Sequence, residues 1–137
     1  MQTPKEWKID EVSFKEALKT VQPNNTPIQF YSQQDEDKYL LQFAIGNRLI
    51  PDGTFLELGA CDGVLYSNTK MLQDHFGFTG VLIEPVPRLF NDLEKNRGPN
   101  AKCYNYAISN SGEDSVQFIG NNPCAGIVDT INEGALQ

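Results

Sequence analysis

Two short apolar runs constrain this chain more than anything else in it: Thr54-Phe-Leu-Glu-Leu-Gly59 and Gly80-Val-Leu-Ile-Glu84. Each has the length of a strand. Neither alternates cleanly between apolar and polar residues, as expected for strands covered on both faces of a sheet. Ser67 to Phe76 lies between them and reads as a helix, with Ser67 or Asn68 as its cap. Pro87 to Arg97 is predicted as the next helix, with proline in its first turn, an apolar face of Leu89, Phe90 and Leu93, and Gly98 as terminator. Ala101 to Ile108 reads as a third strand. Strands separated by helices of this length need crossover connections, which gives an α/β chain with a parallel sheet. Ser115 to Ile119 is either a fourth short strand or part of a hairpin. The expectation is a mostly parallel sheet of three to four strands flanked by helices.

The chain before Thr54 reads differently. Ser13 and Glu16 have capping-box spacing, and Phe14, Ala17, Leu18 and Val21 fall on one helical face. Gln22-Pro-Asn-Asn-Thr-Pro27 stops that helix, so residues 1–27 are expected to be a helical appendage and linker, and residues 28–137 the main domain. Ser32 to Leu49 is predicted as a helix. Asp35, Glu36 and Asp37 suit its N-terminal end, and Tyr39, Leu40, Phe43 and Ala44 form its apolar stripe.

Charge and cysteine usage narrow the function classes. The 137 residues carry a net charge of −7 and a pI of about 4.6. Such a chain is a poor match for nucleic acid or for anionic membrane surfaces, both of which reward basic patches. A small-molecule acceptor is easier to reconcile. Cys61, Cys103 and Cys124 are odd in number and widely spaced, giving neither a disulfide framework nor a zinc pattern. Reduced thiols and a cytoplasmic location are expected. The start of the chain, Met1-Gln-Thr-Pro-Lys-Glu-Trp-Lys8, shows no leader pattern.

The chemistry is expected in the loop Glu57-Leu-Gly-Ala-Cys-Asp-Gly63. Ligands of open parallel sheets bind beyond the carboxyl ends of the strands, and glycine lets the backbone approach them closely. Glu84 ends the second strand, where a carboxylate can accept hydrogen bonds from both hydroxyls of a ribose. The loop has only Gly59 and Gly63, so it is not the G-x-G-x-x-G of a pyrophosphate site, and no Gly-Lys-Ser/Thr follows. Glu57 would repel a pyrophosphate but suits an ammonium. A ligand with an ammonium and a free ribose, such as S-adenosylmethionine, is chemically compatible. Any other nucleotide held by a Rossmann-like sheet stays open.

These pieces occur in a familiar succession. Phe30-Tyr-Ser-Gln33 with Asp35-Glu-Asp37, Phe55-Leu-Glu-Leu-Gly-Ala-Cys-Asp-Gly63, Ser67-Asn-Thr69, Gly80-Val-Leu-Ile-Glu-Pro85 and Asn105-Tyr-Ala-Ile-Ser109 together resemble the FkbM family of S-adenosylmethionine-dependent methyltransferases. The resemblance spans about residues 30–120 and implies a truncated, Rossmann-like class I methyltransferase fold. It implies that Glu57, Gly59, Ala60 and Gly63 surround the methionine part of the cofactor, with Asp62, Ser67 and Asn68 lining or bracing the loop. Glu84 would hold the ribose, Pro85 would lie beside the adenine, and Ala107 and Ile108 would pack near its ring. The implied reaction is O-methylation of a sugar or other small hydroxylated acceptor.

Two features depart from the pattern. Cys61 stands where such loops usually carry glycine or asparagine. The chain also stops before the fourth parallel strand, which would lie beside the first, and the family's later acidic motif has no match; Asp129-Thr-Ile-Asn-Glu-Gly134 differs from it. No catalytic base is therefore named, and no metal is expected. The first strand is expected at an exposed edge, which invites self-association, a second chain, or cover from the C-terminal residues. A catalytically inactive methyltransferase-like binding or assembly module within a larger complex is the alternative function.

Overall fold

The computed structural model describes residues 15, 16, 18, 19, 26–46 and 53–128. Their elements run α1 (Glu36–Gly46), β1 (Thr54–Leu58), α2 (Lys70–Phe76), β2 (Thr79–Ile83), α3 (Pro87–Arg97), β3 (Ala101–Tyr104), β4 (Phe118–Ile119) and β5 (Gly126–Ile127). The chain forms two compact units. One takes the chain up to Phe55 together with Leu65–Thr79; the other takes Leu56–Val64 and everything from Gly80 onward.

The first unit is held by Leu41, Met71, Leu72 and Phe76, with Leu18, Ile28, Phe30, Tyr31, Ile45 and Phe78 packed against them. Full burial of side chains of this size contributes about 1.5–3 kcal/mol each. The stripe predicted for α1 is rotated in the structure. Asp37, Leu41 and Ala44 face inward, while Tyr39, Leu40 and Phe43 stay about 40% exposed. Asp37 explains the rotation. Its fully buried carboxylate accepts hydrogen bonds from the amides of Tyr31, Ser32 and Lys38 and from the Ser32 hydroxyl. Four donors offset the cost of burying that charge, so an acid rather than an aromatic sets the inner face. The Tyr-Ser…Asp motif thus braces the entry to α1. The capping residue Ser13 lies outside the described residues, as do residues 129–137.

Helix α2 begins later than predicted, at Lys70. Thr69, not Ser67 or Asn68, holds the N-cap position; the Ser67 hydroxyl, two residues ahead of it, accepts from the amides of Thr69 and Lys70. Gly77, at φ 70°, ends the helix. His75 is structural: its Nε2 accepts from the Gln29 amide at 3.2 Å.

The second unit holds a sheet of order β1-β2-β3. β2 and β3 run parallel, with Gly80 opposite Ala101 and Ile83 opposite Tyr104. On the other side of β2, the Gly59 amide donates to Ile83 O, in the sense of a parallel pair. An α/β chain with a three-stranded parallel sheet is therefore what forms. Ser115 to Ile119 does not extend it: β4 pairs antiparallel with β5 in a separate hairpin. The third strand stops at Tyr104 rather than Ile108, because β2 ends at Ile83 and the Glu84 amide makes the last ladder bond, to Tyr104 O.

Helix α3 packs on β3 and buries Leu89, Leu93 and Arg97, one residue per turn on one face. Val86, Leu82 and Ala60 complete the core of this unit. Gly98 keeps right-handed backbone angles, so the stop at α3 does not use glycine's left-handed freedom. β1 is not covered on both faces. It is an edge strand among the described residues, and its burial alternates, with Leu56 64% and Leu58 54% exposed.

Candidate functional site

The loop after β1 turns back at once. The amides of Gly59 and Ala60 both donate to Ile83 O, at 2.9 and 3.1 Å, and the Gly63 amide donates to Ala60 O at 2.8 Å. Asp62 closes the second half: its Oδ1 accepts from the Val64 amide at 2.9 Å, an Asx turn. Three residues in this stretch have positive φ: Gly59 at 68°, Cys61 at 52° and Gly63 at 78°.

The two glycines serve different ends. A Cβ placed on Gly59 would meet nothing within 4 Å, so open space lies beside this residue. A Cβ on Gly63 would come within 2.6 Å of both Arg97 Cγ and Leu93 Cδ1. Gly63 is therefore the seat of the loop on α3, and Gly59 is the turn that leaves room.

Glu84 lies at the center of the arrangement. It is 3% exposed, and its Oε2 accepts from the Cys61 amide at 2.9 Å while its Oε1 accepts from the Val86 amide at 2.8 Å. The strand-end carboxylate thus fixes the glycine loop to the start of α3. Asn105 braces it from behind. Its Nδ2 donates to Glu84 O at 2.8 Å and to Pro85 O at 3.0 Å. Beyond it, Ala107 is half-buried and Ile108 is 55% exposed.

Arg97 was not singled out by sequence, yet it organizes the loop's inner side. It is fully buried, its Nη1 donates to Gly63 O at 2.9 Å, and it stands 4.0 Å from Glu57 Oε2. Asn96 adds a second tie, donating to Asp62 O at 2.8 Å. Glu57, expected to face an ammonium, thus already faces a guanidinium. The signal for Arg97 was its spacing: a cation continuing the Leu89, Leu93 stripe. The signal for Asn105 was its place directly after the third strand.

Glu57, Gly59, Ala60, Asp62, Gly63, Glu84, Pro85, Ala107 and Ile108 all fall within the second unit. Ser67 and Asn68 belong to the first, just ahead of α2. Among the described residues no group of His, Cys, Asp and Glu has the arrangement of a metal site, and no helix is long and apolar enough to cross a membrane.

Cys61 carries a backbone strain that glycine would not. Burial first, then the negative charges of Glu84, Asp62 and Glu57, push its thiol up to about 11. It is therefore a poor nucleophile at neutral pH. Left-handed backbone costs a non-glycine residue about 1–2 kcal/mol. Cys61→Gly is expected to stabilize the chain by about 1 kcal/mol after glycine's larger unfolded-state entropy is subtracted. Urea denaturation of the two proteins tests this; equal or lower stability of the glycine variant contradicts the strain.

Comparisons with protein-family models, with curated proteins and with solved structures return no match.

Proposed function

We propose that this chain is the cofactor-binding part of an S-adenosylmethionine-dependent methyltransferase of FkbM type, acting on a hydroxyl of a sugar or another small hydroxylated acceptor. The observation that carries the reading is the pairing of two features on one loop. Open space lies beside Gly59, and the loop's Cys61 amide is held by the carboxylate of Glu84. Each Glu84 oxygen accepts one amide and has a second lone pair to offer, the number a ribose diol needs. At 3% exposure, Glu84 reaches such a diol only with an adjustment of the loop around it.

The bound cofactor would supply an electrophilic methyl group on a sulfonium. The protein's own part is positioning. Gly59 and Ala60 would present backbone to the ligand's amino-acid end. Glu57 would share its charge between Arg97 and the ligand's ammonium, which weakens its attraction relative to an unpaired carboxylate. Pro85, Ala107 and Ile108 would offer apolar surface to the base.

Isothermal titration with S-adenosylmethionine, S-adenosylhomocysteine and NAD tests the reading. Saturable binding of the first two and none of NAD is expected, and Glu84→Gln is expected to weaken the first two at least tenfold. Binding of NAD alone points to a different Rossmann-like nucleotide binder. Absence of all three overturns the cofactor assignment.

A second reading is a non-catalytic assembly module with the same loop. It is favored by β1, an edge strand with Leu56 and Leu58 largely exposed, because such an edge offers a place for another strand or a second copy of the chain. Methyl transfer to hydroxylated acceptors separates the two: turnover supports the enzyme, and cofactor binding without turnover supports the module.

A further inference from the structure

We infer that β1 is the contact strand of a symmetric dimer, in which two copies of this chain pair antiparallel about Leu56 and join their sheets into one. This pairing gives the second reading of the function its partner, and it rests on that reading's open edge.

The hydrogen-bond pattern shows which groups face the edge. Gly53 O accepts from the Thr79 amide, and the Gly59 amide donates to Ile83 O. Peptide groups alternate sides along a strand, so residues 53, 55, 57 and 59 turn theirs to β2. Thr54, Leu56 and Leu58 turn theirs the other way, where β1 has no neighboring strand among the described residues. Each of them offers a donor and an acceptor. Their spacing is self-complementary. With a twofold axis at Leu56, that residue exchanges both bonds with its own copy, and Thr54 exchanges both with Leu58. Every outward group of the strand then has a partner.

The side chains agree with this register. Glu57 stands 4.0 Å from Arg97 of α3, which puts Leu56 and Leu58 on the opposite face of the sheet. Both leucines are largely exposed. Paired about the axis, each Leu56 packs beside its copy and each Leu58 beside Thr54, removing apolar surface from water. Glu57, the only charge in the strand, falls opposite Phe55 and not opposite its own copy, so no like charges meet directly. Edge strands that resist such pairing carry lysine or proline, and β1 carries neither.

Two features make the dimer weak. A strand of 5 residues covers less than the about 800 Å² per partner of a standard interface. Each copy also carries a net charge of −7. A dissociation constant on the order of 100 μM is expected. Salt should tighten it by screening the repulsion between copies.

Sedimentation of the full chain across that concentration range, at low and high salt, is the test. A monomer–dimer equilibrium that tightens with salt is expected, and Leu56→Lys is expected to weaken it at least tenfold. Leu56 is largely exposed, so this variant keeps the monomer fold. Cross-linking checks the register independently. Across the axis the Cα atoms at position 56 lie about 5.5 Å apart, within disulfide reach, whereas those at position 58 lie about 14 Å apart. Under mild oxidation Leu56→Cys is expected to join two position-56 peptides, and Leu58→Cys is not expected to join two position-58 peptides. A chain that stays monomeric at ten times the expected dissociation constant overturns the inference. So does a dimer unaffected by Leu56→Lys, or one that cross-links at position 58 and not at 56. No arm involves a cofactor, and the second reading is decided separately, by turnover.

Discussion

Gly63→Ala is expected to lower stability by about 2–4 kcal/mol, among the largest effects of any single methyl in this chain. Two independent costs combine. Left-handed backbone at φ 78° is unfavorable for alanine, by about 1–2 kcal/mol. The new methyl would also stand 2.6 Å from Arg97 Cγ and Leu93 Cδ1, two side chains that are fully buried. Overpacking of this kind costs about 1–3 kcal/mol, because neither neighbor can withdraw without leaving its place on α3. Gly59→Ala is the control. It carries the same backbone penalty at φ 68° and no clash, so its loss should stay near the lower figure. Equal losses at the two glycines in urea denaturation would show that the loop is not seated on α3.

Arg97→Met should cost more, about 3–5 kcal/mol, the range for removing one partner of a buried charged pair. Gly63 O would lose its donor and Glu57, whose side chain is 10% exposed, would lose the nearby cation. The double variant Glu57→Gln/Arg97→Met should recover part of that loss, since no uncompensated carboxylate then remains inside. A double-mutant cycle measures the recovery. Strict additivity would mean that the 4.0 Å separation carries no coupling, and that Arg97 acts through Gly63 alone.

The comparison of sequence and structure divides along a physical line. The three parallel strands and α3 were legible because apolar runs and a proline-started amphipathic helix depend on local pattern. The glycine loop and Glu84 were legible for the same reason, since both sit at strand ends. What the sequence hid depends on partners far along the chain. The inner face of α1 is set by Asp37, which looks like a helix-start acid until Ser32 and the Tyr31 amide are seen around it. The third strand was expected to run to Ile108, but it stops where β2 no longer offers a partner. Arg97 looks like an ordinary cation at a helix C-terminus, and only its burial against Gly63 reveals another role. Cys61 departs from the glycine or asparagine that such loops usually carry, and its φ of 52° shows that the position holds a backbone shape those residues take more easily.

Amide chemical-shift mapping during titration with S-adenosylhomocysteine tests the proposal that the loop around Gly59 and Glu84 receives the cofactor. Saturable shifts are expected at the amides of Gly59, Ala60, Cys61, Gly63 and Glu84, with further changes at Ala107 and Ile108. No shifts at saturating ligand, or shifts confined to residues outside this loop and the segment after β3, would contradict it.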